Sequence, residues 1–335
     1  MLLTIVIPSH NSTHYLDQAV QSIIAEPEFG RDVDLSISDN SLSDSTSELY
    51  QLKYKGNSAI NYHRSLEYDS LDANVNRAVE LGSGTYVWIF GDDDLIVPGV
   101  LTPLLTLLIE KQPDIVVLNS QSFHGHQIIE SSRVPPGVST VYFADQSDEF
   151  LKDLGGYLTY VGCILVRREL WLKYHDPTTI GTFFAHIDAI CSIKRDRSAH
   201  YFPQPAIRMR LHSQTWTSKS FLIWNCFYPE LIWRLDGYGN SAKQAVIPPR
   251  PIHSPRRMLA ARAYGSLNLS VWRQVIFYSS NVKPAFKVFT LILCCLPRRL
   301  FRELYRLFIL RLRSSHTTGF SPALALSQLE PTLPT

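Results

Sequence analysis

The chain has 335 residues, 45% hydrophobic and 19% charged, with a net charge of +2. That length can bury a substantial core as one large domain or two, and the composition excludes a disordered chain. The five cysteines, Cys163, Cys191, Cys226, Cys294 and Cys295, are odd in number and lack metal-type spacing, which argues against a disulfide framework and for a reducing compartment.

The first apolar run has no basic stretch before it and stops at Pro8, so it reads as a strand, Leu3–Pro8, and not as a signal peptide. Leu16, Ala19, Val20, Ile23 and Ile24 then follow helical spacing, with Ser12 or Thr13 available as N-cap. A second strand, Val33–Ser38, ends in Asp39-Asn40, and a capped helix is expected from Asp44 to Lys53. Ala59–His63 reads as a third strand. Leu71, Val75, Ala78 and Val79 mark a helix stopped by Gly82 and Gly84. Tyr86–Phe90 is a fourth strand and delivers Asp92, Asp93 and Asp94 to one point. Pro98 suits the first position of a helix carrying Leu101, Leu104, Leu105 and Leu108, and Asp114–Asn119 reads as a fifth strand.

Such alternation predicts an α/β fold, a mostly parallel central sheet flanked by helices. Ligands of these sheets bind beyond the carboxyl ends of the strands, where Ser9, Asp39 and Asp92–Asp94 would converge. Three adjacent acids repel one another, and carboxylates are hard ligands suited to Mg²⁺ or Mn²⁺ with a substrate phosphate beyond. An Asp capping a turn is the plainer account of each acid taken singly.

Beyond residue 120 the pattern loosens. Tyr160–Val166 reads as a strand followed by a short helix through Trp171, and Ala206–Leu211 alternates as a half-exposed strand. Residues 217–235 look helical, and the proline-rich stretch 246–256 reads as a linker. Ala285–Leu296 is apolar for about 12 residues, short of the roughly 20 that span a bilayer. Leu300, Leu304, Leu307 and Phe308 follow it, interleaved with arginines. Residues 281–313 hold eight lysines and arginines against Glu303 alone, a net of +7 that leaves −5 on the rest of the chain. An apolar face bordered by arginine suits a helix lying in an anionic membrane interface, and a helix packed on the protein body is the alternative. Nucleic acid is disfavoured as a partner, because the basic residues lie in an apolar segment.

Three motifs together, Thr4-Ile-Val-Ile-Pro-Ser-His-Asn11, Ser36-Ile-Ser-Asp-Asn-Ser-Leu-Ser-Asp44 and Gly84-Thr-Tyr-Val-Trp-Ile-Phe-Gly-Asp-Asp-Asp-Leu-Ile-Val-Pro-Gly99, resemble glycosyltransferase family 2 in order and spacing. Tyr157–Trp171 and Gly181–His186 resemble, more loosely, its bacterial abequosyltransferase-like branch of surface polysaccharide (O-antigen) synthesis. The resemblance implies a GT-A fold with a helical C-terminal extension: a nucleotide-sugar half over 1–120, an acceptor half over 121–245, and a basic, membrane-associating region over 246–335. It implies inverting transfer from a nucleoside diphosphate sugar to a glycan acceptor, lipid-linked if the tail meets a membrane, with Mn²⁺ or Mg²⁺ as cofactor. The protein would then be cytoplasmic, peripheral on the inner face of the bacterial membrane.

By the same resemblance Pro8, Ser9, Asn11 and Asp39 would hold the nucleobase and ribose. Asp72, Asn74 and Arg77 fall where the family approaches the nucleotide, and Arg208, Arg210 and His212 where it can return to the diphosphate or metal. The metal set is Asp92, Asp93, Asp94 and His212, with Asp93 favoured and Asp92 on ribose or metal. The general base is assigned to Asp188, with His186 as its alternative and Asp176 or Asp153 as others. The usual family motif is Asp-x-Asp followed by another Asp. Aligned on Pro98-Gly99, its first acid falls on Gly91, which keeps open a degenerate, glycan-binding protein. A sugar nucleotidyltransferase or a dinucleotide-binding oxidoreductase would need a glycine-rich loop after the first strand. This chain has Ser9-His-Asn there and no glycine before Gly30.

Overall fold

The computed structural model of the chain describes residues 1–193, 197–211, 220–279 and 282–313. They form two compact units, Met1–Arg210 with Leu235–Val246, and Leu211–Arg234 with the chain from Ile247 onward. The strands are β1 (Leu3–Ser9), β2 (Val33–Asp39), β3 (Ile60–Arg64), β4 (Tyr86–Ile89), β5 (Leu95–Ile96), β6 (Ile115–His124), β7 (Gln127–Glu130), β8 (Val141–Tyr142), β9 (Ile164–Arg167) and β10 (Ala199–Arg210). The helices of the first 193 residues are α1 (Thr13–Ile24), α2 (Ser45–Leu49), α3 (Leu71–Leu81), α4 (Leu101–Lys111), α5 (Ser147–Leu154), α6 (Arg168–Tyr174) and α7 (Ala185–Ser192). Next come α8 (Ser220–Leu222) and α9 (Tyr228–Arg234), joined by the π-helical turn Ile223–Phe227, and then α10 (Asn240–Val246). The last are α11 (Pro255–Tyr264), α12 (Leu269–Val271), α13 (Pro284–Cys295) and α14 (Arg298–Arg313).

In the first unit the strands make one sheet of order β3-β2-β1-β4-β9-β6-β10-β5, with β7 on β6 and β8 on β10. The β3-β2-β1-β4 half is parallel, as the alternation predicts. Every residue of β1 and β2 is buried, as expected for parallel strands covered on both faces. The sheet becomes mixed beyond β4, because β9 enters antiparallel between β4 and β6. Strands from both expected halves therefore share one sheet, with β6 itself crossing residue 120, while residues 211–234 group with the C-terminal unit.

Two local expectations differ from the structure. The helix expected at Pro98 starts at Leu101, because Gly99 turns at φ +77 and gives its N–H to the Glu26 carboxylate at 2.9 and 3.0 Å. Residues 157–163 form two 3₁₀ turns and not a strand. Side chains bind this segment: Tyr157 Oη donates to Leu118 O (3.0 Å) and Trp88 Nε1 donates to Gly162 O (2.9 Å).

The second unit packs Phe221, Met258, Ala261, Leu267, Ile276, Leu293 and Phe301 into a core of its own. Arg298 donates to Ala263 O (3.2 Å) and Tyr264 O (2.7 Å), so a cation closes the carboxyl end of α11. Among the described residues no helix is long and apolar enough to cross a membrane.

Candidate active site

Register brings the first site residues together. Ser9 pairs with Asp39 at the carboxyl ends of β1 and β2, and the amide of Phe90, just past β4, donates to Val6 O at 2.9 Å. The acid loop therefore starts beside the end of β1. Asn11 adopts φ +53, a left-handed conformation that Asn tolerates. Its amide donates to Ser41 Oγ (2.7 Å) and its Oδ1 accepts from Leu42 N (3.0 Å), which locks the loops after β1 and β2 together. The buried Asp39 carboxylate accepts from Ser41 N (2.8 Å) and from Tyr62 Oη (2.6 Å). Each carboxylate oxygen keeps a further lone pair, so this engagement orients Asp39 without exhausting it.

Asn74 and Arg77 have structural partners. Asn74 is buried, accepts from Ser38 Oγ (2.7 Å) and donates to Ser9 O and Asn40 Oδ1 (3.2 Å each), tying α3 to the strand ends. Arg77 pairs with Glu80 (3.1 Å) on its own helix and lies over the Tyr68 ring. These contacts place Asn74 at the carboxyl ends of β1 and β2 and Arg77 beside Glu80 on α3.

The three acids divide their work. Asp92 Oδ2 accepts from His10 N at 3.2 Å. Burial, together with the Asp93 charge, raises its pKa to about 7 against the His10 amide and the Ser9 and Ser12 hydroxyls. Asp94 is fully buried and accepts from the Tyr160 hydroxyl and from Arg210 N (3.0 Å). Burial first and the Asp93 charge second push its pKa well above the usual carboxylate range. Arg210 is sandwiched between the rings of Tyr15 and Phe123 (4.6 and 4.7 Å to the centroids), donates through Nε to Asp93 O (2.9 Å) and reaches Gln18 Oε1 (2.8 Å). It holds the acid loop on β10.

This packing accounts for Gly91. A Cβ there would lie 2.5 Å from Asp94 Oδ2 and 3.2 Å from Asp93 Oδ1. The position of the usual first acid is filled by carboxylates folded back over it, so Gly91 is a steric requirement of this loop and no sign of a lost function.

The first two candidates for the base, Asp188 and His186, lie on α7. His186 is buried and its Nε2 donates to Leu158 O (3.1 Å), while burial pushes its pKa down to about 4. With Nε2 committed, only Nδ1 is left to take a proton, and burial weakens its basicity. Asp176 caps Thr178 (2.8 Å to N), and Asp153 accepts from Tyr142 Oη (2.9 Å). Asp188 sits in the first turn of α7. Tyr160, bonded to Asp94, and Leu158, bonded to His186, belong to one short segment, so a continuous network links the acid loop to α7. The alternating apolar pattern carried no signal for Tyr160, whose role depends on a contact 66 residues away in sequence.

His212 lies outside the described residues. Among those described, no group of three or more His, Cys, Asp and Glu side chains is gathered to enclose a metal. Asp94, expected as a ligand, is buried and accepts from Tyr160 and from Arg210 N, which ties it to the protein. Asp92 and Asp93 nevertheless fit a divalent cation. Asp92 is held near neutrality by burial beside a second charge, the condition a cation relieves, and two carboxylates with substrate phosphate oxygens complete a typical Mg²⁺ site.

Residues 4–171 match the family model for glycosyl transferase family 2. The chain belongs to that family and is a glycosyltransferase. It is 28% identical over 235 residues, 65% of this chain and 69% of the relative, to abequosyltransferase RfbV of Salmonella typhimurium. A shorter match, 28% over 104 residues, covers 31% of this chain and 33% of the GalNAc(5)-diNAcBac-PP-undecaprenol beta-1,3-glucosyltransferase of Campylobacter jejuni. The fold resembles that of S. aureus TarS, solved in complex with UDP, at a TM-score of 0.59 and 14% identity over 82% of this chain and 78% of that one.

Proposed function

We propose that the first unit performs inverting transfer of a sugar from a nucleoside diphosphate sugar to a lipid-linked glycan acceptor. The observation that carries this reading is the pair Asp92 and Asp93 just past β4, where Asp92 accepts from His10 N beside the paired strand ends of Ser9 and Asp39. The Salmonella relative is named for abequosyl transfer and the Campylobacter relative for an undecaprenol diphosphate-linked acceptor, which supports the same acceptor class here.

In this reading Ser9, Asn11 and Asp39 orient the nucleoside. A Mn²⁺ or Mg²⁺ ion on Asp92 and Asp93 would neutralise the diphosphate. Asp188 takes the proton of the acceptor hydroxyl as that oxygen bonds the anomeric carbon. The bond from this carbon to the diphosphate breaks, and the nucleoside diphosphate leaves with the electron pair. Asp94, Tyr160 and Arg210 hold the loop in shape.

Thermal unfolding with UDP-, CDP-, GDP- and dTDP-sugars, with and without Mn²⁺, tests the donor side. One nucleotide at 100 times its Kd should add about 2.7 kcal/mol, a midpoint rise of roughly 5–10 °C at about 2–4 °C per kcal/mol. Asp92 must be ionised to hold a cation, so the Mn²⁺-dependent rise should grow as pH increases through about 7. Without the ion, Asp92 stabilises the fold when protonated, and that contribution is lost as pH climbs from the ordinary aspartate range to 7. A Mn²⁺ effect independent of pH would remove Asp92 from the cation site. Indifference to every nucleotide would reject the donor reading.

We further propose that the second unit meets an anionic membrane surface on the cytoplasmic face. Val288 and Ile292 on α13, Leu296 just past its end, and Leu300, Leu304 and Leu307 on α14 are exposed apolar side chains, at i, i+4 spacing on α13 and i, i+4, i+7 on α14. Arginines flank the α14 leucines, the composition of an interfacial helix. The triple variant Leu300→Ser, Leu304→Ser, Leu307→Ser should lose sedimentation with phosphatidylglycerol vesicles, and unchanged sedimentation would reject this surface. Point substitution is cleaner than deleting 282–335, because Leu293 and Phe301 belong to the unit's core.

A further inference from the structure

Asp72 lies in the first turn of α3, on the nucleotide side of the first unit, yet its carboxylate serves the acceptor side. Oδ2 accepts from Gly181 N and Phe183 N (2.8 Å each) and Oδ1 from Ala185 N (3.2 Å), across more than 100 residues of sequence. The side chain is 2% exposed. Gly181 and Phe183 both turn with positive φ, +93 and +68. Alternating conformations of this kind aim successive N–H groups at one anion, here a carboxylate of the same chain. A left-handed phenylalanine is unfavourable by itself and persists only where its surroundings impose it. Charge-assisted bonds to three amides are strong enough to do so.

The turn so held is the entry to α7. Ala185, the last amide on Asp72, is the first residue of that helix, and Asp188 follows three positions later. The His186–Leu158 bond fixes the same helical turn from the other side. Without Asp72 the amides of Gly181, Phe183 and Ala185 would lose this acceptor, the left-handed turn at Phe183 would lose support, and the start of α7 would relax.

We propose that Asp72 is a positioning residue for transfer, acting through the 181–185 turn to set the place of Asp188. This rests on the reading of Asp188 as the general base. A displacement of about 1 Å at a reacting group can lower rate by roughly 10²-fold, so Asp72→Asn should lower kcat by about 10–100-fold. The donor Kd should stay within about twofold, because both carboxylate oxygens of Asp72 are taken by the Gly181, Phe183 and Ala185 amides.

The test uses the full chain with the nucleotide sugar of the UDP, CDP, GDP and dTDP panel that gives the largest thermal shift. It follows slow hydrolysis of that sugar by water, a reaction that needs the same base. Hydrogen exchange of amides 181–185 should quicken in Asp72→Asn, and adding Asp72→Asn to Asp188→Asn should produce no further loss. Wild-type kcat in Asp72→Asn, a weakened donor Kd, or losses that multiply in the double variant would each overturn the inference while leaving the base assignment standing. Wild-type turnover in Asp188→Asn alone would overturn both. If Asp72→Asn does not fold, Asp72→Glu keeps the charge and shifts it by one methylene. It should show the same loss of kcat at unchanged Kd, and wild-type kcat there would reject the proposal.

Discussion

Asp188→Asn is expected to lower transfer by about 10²–10⁴-fold, the usual contribution of a general base, while nucleotide binding is unchanged. The expectation rests on the position of Asp188 in the first turn of α7, where the family resemblance puts the base. His186 is neutral, buried and committed through Nε2 to Leu158 O. Asp176 and Asp153 are engaged with Thr178 and Tyr142. Asp188 occupies the first turn of α7, where partial positive charge from the helix end favours an ionised carboxylate. The asparagine keeps the shape and a hydrogen-bonding oxygen but cannot accept a proton at neutral pH. Kinetics of transfer beside calorimetry of nucleotide binding separates the two effects. Wild-type turnover would sink the assignment, and loss of nucleotide affinity would move Asp188 to the donor side.

Gly91→Asp, which restores the usual acid of the family motif, is expected to inactivate the enzyme and not improve it. The added Cβ meets Asp94 Oδ2 at 2.5 Å. A free carboxylate end could swing away, but this one is held by Tyr160 and by Arg210 N. The overlap alone should cost about 1–3 kcal/mol, in the range of overpacked sites. A fourth carboxylate beside Asp92 and Asp93 adds repulsion where burial already disfavours ionisation. Activity should fall at least about 100-fold, since roughly 2.7 kcal/mol of misplacement at the loop suffices for that, and the unfolding midpoint should drop. Gly91→Ala should show the steric part alone. A variant with aspartate at 91 that gained activity would show that the loop can reopen and that Gly91 is an ordinary substitution.

Much of the donor side is legible in the sequence. Leu3–Pro8, Val33–Ser38 and Tyr86–Phe90 are apolar runs too short for helices and end at polar residues, and parallel pairing puts those ends side by side. The helix stripe Leu16, Ala19, Val20 and Ile23 is buried as its spacing implies. The later segments are less legible. Tyr160–Val166 has a strand-like composition and its second half is β9, but Trp88 and the hydroxyls of Tyr157 and Tyr160 bind the part before Ile164 into turns. Antiparallel entry of β9 between β4 and β6 also leaves no periodic mark.

The family, the parallel half of the sheet and the gathering of Ser9, Asp39 and Asp92–Asp94 followed from the sequence by itself. Hydrophobic period and strand-end chemistry are local properties, readable within a dozen residues. The partners of each acid, the crowding at Gly91, the burial of His186 and the reach of Asp72 to the 181–185 turn were decided only by the tertiary structure. Each depends on burial and on hydrogen-bond partners distant in sequence, such as Tyr160 for Asp94 and Leu158 for His186. A residue type announces what it can bond, but only the folded chain decides which of those bonds is already made.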